Sequence, residues 1–135
     1  MLTDTIVHKC ASIERVVKRI EGVYHTSSHF ENDLTSQESV IFNLQRACQA
    51  CIDIANATNK HYQMSPPYSA DESFELMSEA GLISKTTKCN LQQLDYIKTI
   101  AVRDPQHLDT NVLAQLIENR ICDFQHFIGE VKSIS

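Results

Sequence analysis

The sequence predicts an all-α protein, an antiparallel four-helix up-down bundle with one additional short helix. Three observations carry that expectation. Only three glycines and three prolines punctuate 135 residues, β-branched residues nowhere alternate with polar ones over a useful length, and apolar residues recur in steps of three and four over long stretches, the period of a helix with one buried face. The length is that of a single domain, residues 1–135, large enough to bury a core.

The first helix is expected from Thr3 or Asp4 to about Tyr24. Ile6, Cys10, Ile13, Val17, Ile20 and Tyr24 form one apolar stripe, and the opposite face carries Lys9, Glu14, Arg15, Lys18, Arg19 and Glu21, with Glu14 and Lys18 spaced for an i,i+4 ion pair. The polar connector HTSSHFEND follows and reads as a loop in which His25 and His29 face solvent. Thr35 with Glu38 three residues on has the pattern of a capping box and is expected to open the second helix. That helix turns Val40, Ile41, Leu44, Ala47, Cys48, Cys51, Ile54 and Ala55 inward, a face broad enough for the central member of a bundle.

Pro66 and Pro67 cannot continue a helix, so Gln63 to Tyr68 is a turn. Ser69 with Glu72 caps a short helix through Phe74, Met77 and Ala80, which Gly81 ends. Ser84 starts the next, carrying Leu91, Leu94, Ile97 and Ala101. Pro105 biases Asp104 away from helical backbone, so this helix stops or kinks near Arg103 or Asp104. Asp109 then caps a last helix running through Leu113, Ile117, Ile121, Phe124, Ile128 and Val131. Phe42, Val112, Leu116 and Phe127 lie off the main stripes. As an exposed apolar set they favour dimerisation.

The formal net charge of −5 argues against a general nucleic-acid coating role, which rests on phosphate neutralisation by Lys and Arg. Locally the sign reverses: Lys85, Lys88, Lys98 and Arg103 are set against Asp95 alone between positions 85 and 103. No apolar run approaches the roughly 20 residues a bilayer demands, and the first residues lack the apolar core of a signal peptide, so a cytoplasmic protein is expected. Five cysteines, an odd number spread over predicted helices, do not make a disulfide framework. Cys48 and Cys51 form a C-x-x-C, but on the inner face of a helix and without a second ligand pair, which points to buried thiols and to no metal.

The stretch Ile97 to Asp109, IKTIAVRDPQHLD, is where chemistry is concentrated. Lys98, Arg103, His107 and Lys88 gather on or near the helix end, where cations are favoured by the helix dipole and are available to an anion. A kinked helix end with solvated charges accounts for the same pattern.

Three runs resemble a known family: SVIFNLQRACQACIDIAN at positions 39–56, SFELMSEAGLIS at 73–84 and IAVRDPQHLD at 100–109 are similar to the HepT-like branch of the HEPN proteins. The resemblance implies a small helical bundle that dimerises and is encoded beside a minimal nucleotidyltransferase. In active members it implies a metal-independent RNase toxin, without cofactor, whose antitoxin is that nucleotidyltransferase. In the family the pivotal stretch reads like GFRNIAVHDY. Here Lys98 stands for the arginine, Thr99 for the asparagine, Arg103 for the histidine, Pro105 for the tyrosine and Tyr96 for the glycine. Cleaving RNA without a metal needs a group that exchanges protons near neutral pH together with charge to stabilise the pentacoordinate phosphate. Histidine titrates there and a guanidinium does not. Lys98 keeps a positive charge without the planar fork. Pro105 offers no hydroxyl where the partner enzyme of related systems attaches AMP.

The resemblance therefore implies a toxin-fold subunit with a degenerate motif and weakened or lost RNA cleavage. Two alternatives stay open: an active metal-independent endoribonuclease using Arg103 and His107 in shifted register, with Lys98 as phosphate binder, and a non-enzymatic binding subunit of a nucleotidyltransferase. RNA is a candidate partner in the first two.

Overall fold

The computed structural model describes residues 3–104 and 108–134. Its elements are α1 (Asp4–Thr26), a 3₁₀ turn (Phe30–Asn32), α2 (Leu34–His61), α3 (Ala70–Glu79), α4 (Lys85–Arg103), α5 (Thr110–Asn119) and α6 (Cys122–Lys132). No helix among them is long and apolar enough to cross a membrane.

Local chemistry accounts for most of the boundaries. The Thr3 hydroxyl accepts from the Ile6 N–H and opens α1, which runs to Thr26, two residues further than expected, so His25 lies on the helix rather than in a loop. Both His25 and His29 are exposed. The start of α2 differs from the sequence expectation: Asp33, not Thr35, is the cap. Its carboxylate accepts from the Ser36 N–H at 3.1 Å and from the hydroxyls of Ser36 and Ser27 at 2.6 and 2.7 Å, and these bonds hold its pKa below the usual carboxylate range. A charged acceptor braced by two hydroxyls is a better partner for orphan N–H groups than a threonine, so the helix starts earlier.

Ser69 caps α3 and Ser84 caps α4, each through the N–H three residues on. Gly81, at φ 75°, ends the α3 segment with Leu82 N–H donating to the Met77 carbonyl. The same αL cap closes α2, where Met64 N–H donates to the Asn59 carbonyl, but there the left-handed position is held by Gln63 at φ 59°. A side chain in that region is strained. Gln63→Gly is expected to raise the unfolding free energy by about 0.5–1 kcal/mol, part of the relief being offset by the extra freedom of glycine in the unfolded chain; urea denaturation checks it.

The chain packs as a bundle. Antiparallel α1 and α2 are tied by Lys9 to Asp53 at 3.0 Å. α4 runs antiparallel to α6, with Asn90 donating to Asp123 and the Ser84 N–H to Glu130, and α3 lies along α4 with Lys88 on Glu75 at 3.0 Å. Glu14 is taken by Lys132 of α6 at 3.3 Å instead of by Lys18. Ile13, Ile20, Leu44, Ile54, Phe74, Leu94, Phe124 and Phe127 are fully buried and fill the interior. A polar group sits inside this packing: Asn59 donates to the Ser73 carbonyl and hydroxyl, and Ser73 donates to Asn56, which pins α3 to α2.

Two further expectations are corrected. The last helix is two helices, broken at Arg120 and Ile121. Asp123 N–H turns back to the Arg120 carbonyl at 2.9 Å, while the Arg120 guanidinium pairs with the buried Asp123 carboxylate at 2.8 Å. The break re-aims α6, and Leu116 and Phe127, expected outside, are 2% and 0% exposed. Phe42 and Val112 remain on the surface at 60% and 41%.

Candidate functional site

Helix α4 carries the motif positions and ends at Arg103, where the residue preceding Pro105 was expected to stop it. Pro105 and His107 lie outside the described residues. Lys98 is mostly buried, its side chain 18% exposed, with Nζ 3.1 Å from the Asp95 carboxylate one turn earlier. That contact is electrostatic: Asp95 Oδ1 has no hydrogen bond of good geometry. Thr99 turns its hydroxyl onto the Asp95 carbonyl at 2.8 Å. Arg103, in the last turn, is exposed, and its charge there is favoured by the helix dipole.

The three described cations, Lys88, Lys98 and Arg103, are not one cluster. Lys88 sits in the first turn of α4, about 22 Å along the axis from Arg103, and pairs with Glu75. Lys98 and Arg103, five residues apart on one helix, project roughly 140° apart around its axis. A single copy of α4 therefore cannot aim both at one phosphate. Arg103 shares its face with Ile100 and Tyr96, at steps of three and four; Tyr96 is 67% and Ile100 38% exposed.

The inner side of α4 faces the C-x-x-C pair. Cys48 and Cys51 are buried, as expected, and the Cys48 thiol is pushed from 9.0 up to about 12, first by burial and then by the nearby Asp95 carboxylate; burial likewise pushes the Cys51 thiol up. A thiol that resists ionisation is a poor nucleophile and a poor ligand. In native protein at pH 8, an alkylating reagent is expected to modify the exposed Cys89 and Cys122 and to spare Cys48 and Cys51, as read by mass spectrometry. Because the folded-state pKa lies above the unfolded one, the thiols' contribution to stability is intact below about pH 9 and is lost as pH rises from 9 towards 12.

Cys122, Asp123 and His126 place ligand-type atoms within 4.8 Å of one another. The Asp123 carboxylate is already held by Arg120 and Asn90, and a guanidinium at a prospective ligand opposes a cation, so the donor set does not fit a metal. A groove of about 1000 Å³ lies at the opposite end of α4, between its first turns and α6. A smaller one of about 540 Å³ runs beside the motif face, lined by Asp71, Cys89, Gln92, Gln93, Tyr96 and Ile97. Sequence reasoning treated Tyr96 only as a departure from a glycine and missed this groove, since its other wall comes from α3.

A bundle of this topology, with a cation-bearing helix that ends at the motif, has the fold of the HEPN toxin class. It is similar to the tri-AMPylated Shewanella oneidensis HEPN toxin in complex with MNT antitoxin, with a TM-score of 0.93 at 40% identity, covering 98% of this chain and 99% of that one. A toxin–antitoxin structure with AMP-PNP matches equally, with a TM-score of 0.93 at 40% identity over 96% of this chain and 99% of the other. The mRNA nuclease HepT of Shewanella oneidensis is 40% identical over 132 residues, 98% of this chain and 99% of the relative. The ribonuclease HepT-like family model matches residues 13–131, and the chain belongs to that family.

Proposed function

We propose that this chain is the toxin-type subunit of a HEPN/nucleotidyltransferase toxin–antitoxin pair, a homodimer bound by a minimal nucleotidyltransferase, whose RNA cleavage is weakened or lost. The observation that carries the reading is the exposed guanidinium of Arg103 at the end of α4, a position that the sequence resemblance assigns to the family's histidine. It binds phosphate and stabilises charge but cannot accept a proton. Lys98, mostly buried and paired with Asp95, supplies a second positive charge without a free fork.

The divergence of Lys98 and Arg103 around the α4 axis supports the dimer, because a second copy can bring a cation across to face the first. Val102 and Val112, at the end of α4 and the start of α5, are each 41% exposed and offer the apolar contact for it. The nucleotidyltransferase partner is supported by the similar HEPN toxin, which is in complex with MNT antitoxin.

The test is RNA incubated in chelator with purified protein. Intact RNA supports the degenerate subunit; His107-dependent cleavage favours the active enzyme; co-purification of a small nucleotidyltransferase without any RNA binding favours the pure binding subunit. Sedimentation of the free protein as a monomer would remove the homodimer.

A further inference from the structure

We propose that the groove beside α4 is a subsite for one unpaired nucleobase of the RNA, an adenine, stacked on Tyr96 and read by Gln93; this rests on the RNA-binding reading above. The ring of Tyr96 is two-thirds exposed on the wall of a groove of about 540 Å³, room for a base and its sugar. The lining polar groups are suited to a base edge rather than to a phosphate, as they include two amides and a carboxylate and no cation. Gln92 already donates through Nε2 to the Asp71 carbonyl at 3.1 Å, which leaves its carbonyl oxygen as an acceptor. Gln93 is exposed, and its amide can accept from N6 and donate to N7 of adenine, the bidentate pairing that glutamine makes with that base. With Asp71 also an acceptor, the groove favours a base that carries an amino group and disfavours uracil.

The phosphate has its own place. Arg103 lies on the same face of α4 as Tyr96, two turns on and about 10.5 Å along the axis, so a strand whose base enters the groove passes its backbone towards that guanidinium. Tyr96 belongs to this chain's departure from the family pattern, where a glycine has no ring to offer. A stacked base thus supplies binding at a site whose catalytic groups are replaced.

The test uses the whole protein in chelator with fluorescent A10 and U10 RNA at fixed salt. Wild type is expected to bind A10 more tightly than U10. Tyr96→Ala is expected to weaken A10 binding on the order of tenfold, the usual contribution of one base–aromatic stack, while Tyr96→Phe retains it. Gln93→Ala is expected to abolish the preference for A10. Sedimentation of each variant should show an unchanged oligomeric state. Unchanged A10 binding by Tyr96→Ala, or equal binding of A10 and U10 by wild type, overturns the subsite alone. Loss of binding together with a change in oligomeric state overturns it in favour of a face that meets a second copy. Wild type that binds neither RNA overturns the RNA reading itself and the subsite with it.

Discussion

The variant Lys98→Arg, Thr99→Asn, Arg103→His, Pro105→Tyr is expected to cleave RNA in chelator on the order of 10²–10⁴-fold faster than the parent chain, the contribution of general acid–base catalysis to such reactions. Arg103 ends α4 and is exposed, so an imidazole placed there meets no packing obstacle, and the helix C-terminus favours its protonated form. Lys98→Arg keeps the charge next to Asp95, 3.1 Å away in the parent, and adds a planar fork that can hold the carboxylate and a phosphate together. Thr99 spends its hydroxyl on the Asp95 carbonyl, a bond internal to the helix, and its loss carries little structural cost. Groups that act as a unit are not additive, so Arg103→His alone should recover only part of the gain. A restored protein that keeps its circular dichroism and thermal transition but leaves RNA intact would locate the lesion elsewhere in the cleft.

Phe127→Ala is expected to lower the unfolding free energy by about 3–5 kcal/mol, as for other fully buried phenylalanines, with a melting temperature roughly 10–20 °C lower for a chain of this size. Phe127 is fully buried, and its ring meets that of Phe74 edge to face with centroids 6.1 Å apart, so α3 and α6 lose their common contact with it. Phe42→Ala supplies the contrast. Its ring is 60% exposed, with the Arg46 guanidinium 5.9 Å from its centroid, and its loss should move monomer stability by no more than about 0.5 kcal/mol. Equal effects of the two substitutions would contradict the burial of Phe127.

The elements most legible from sequence were those whose cause is local. The starts of α1 at Thr3 or Asp4 and of α4 at Ser84, the caps at Ser69 and Asp109, the stop at Arg103 and the left-handed Gly81 each depend on residues within a few positions, and the long stripes of α1 and α4 depend on period alone. The start of α2 was misplaced because Asp33 draws on Ser27, a hydroxyl across the preceding turn. The break between α5 and α6 left no mark, since neither proline nor glycine stands there and Ile117, Ile121 and Phe124 keep a continuous helical period.

For the candidate site the division is similar. The sequence by itself determined the class of fold, the helix that bears the motif and the chemical identity of its groups, because apolar period and the titration range of a side chain are properties of residue type. Only the tertiary structure decided which of those groups can act together: that Lys88 belongs to Glu75, that Lys98 is half-withdrawn against Asp95, that Phe127 is core and that Tyr96 walls a groove with α3. The reason is physical, since burial and ion pairing depend on where distant segments cross, and a single helix face does not record what packs against it.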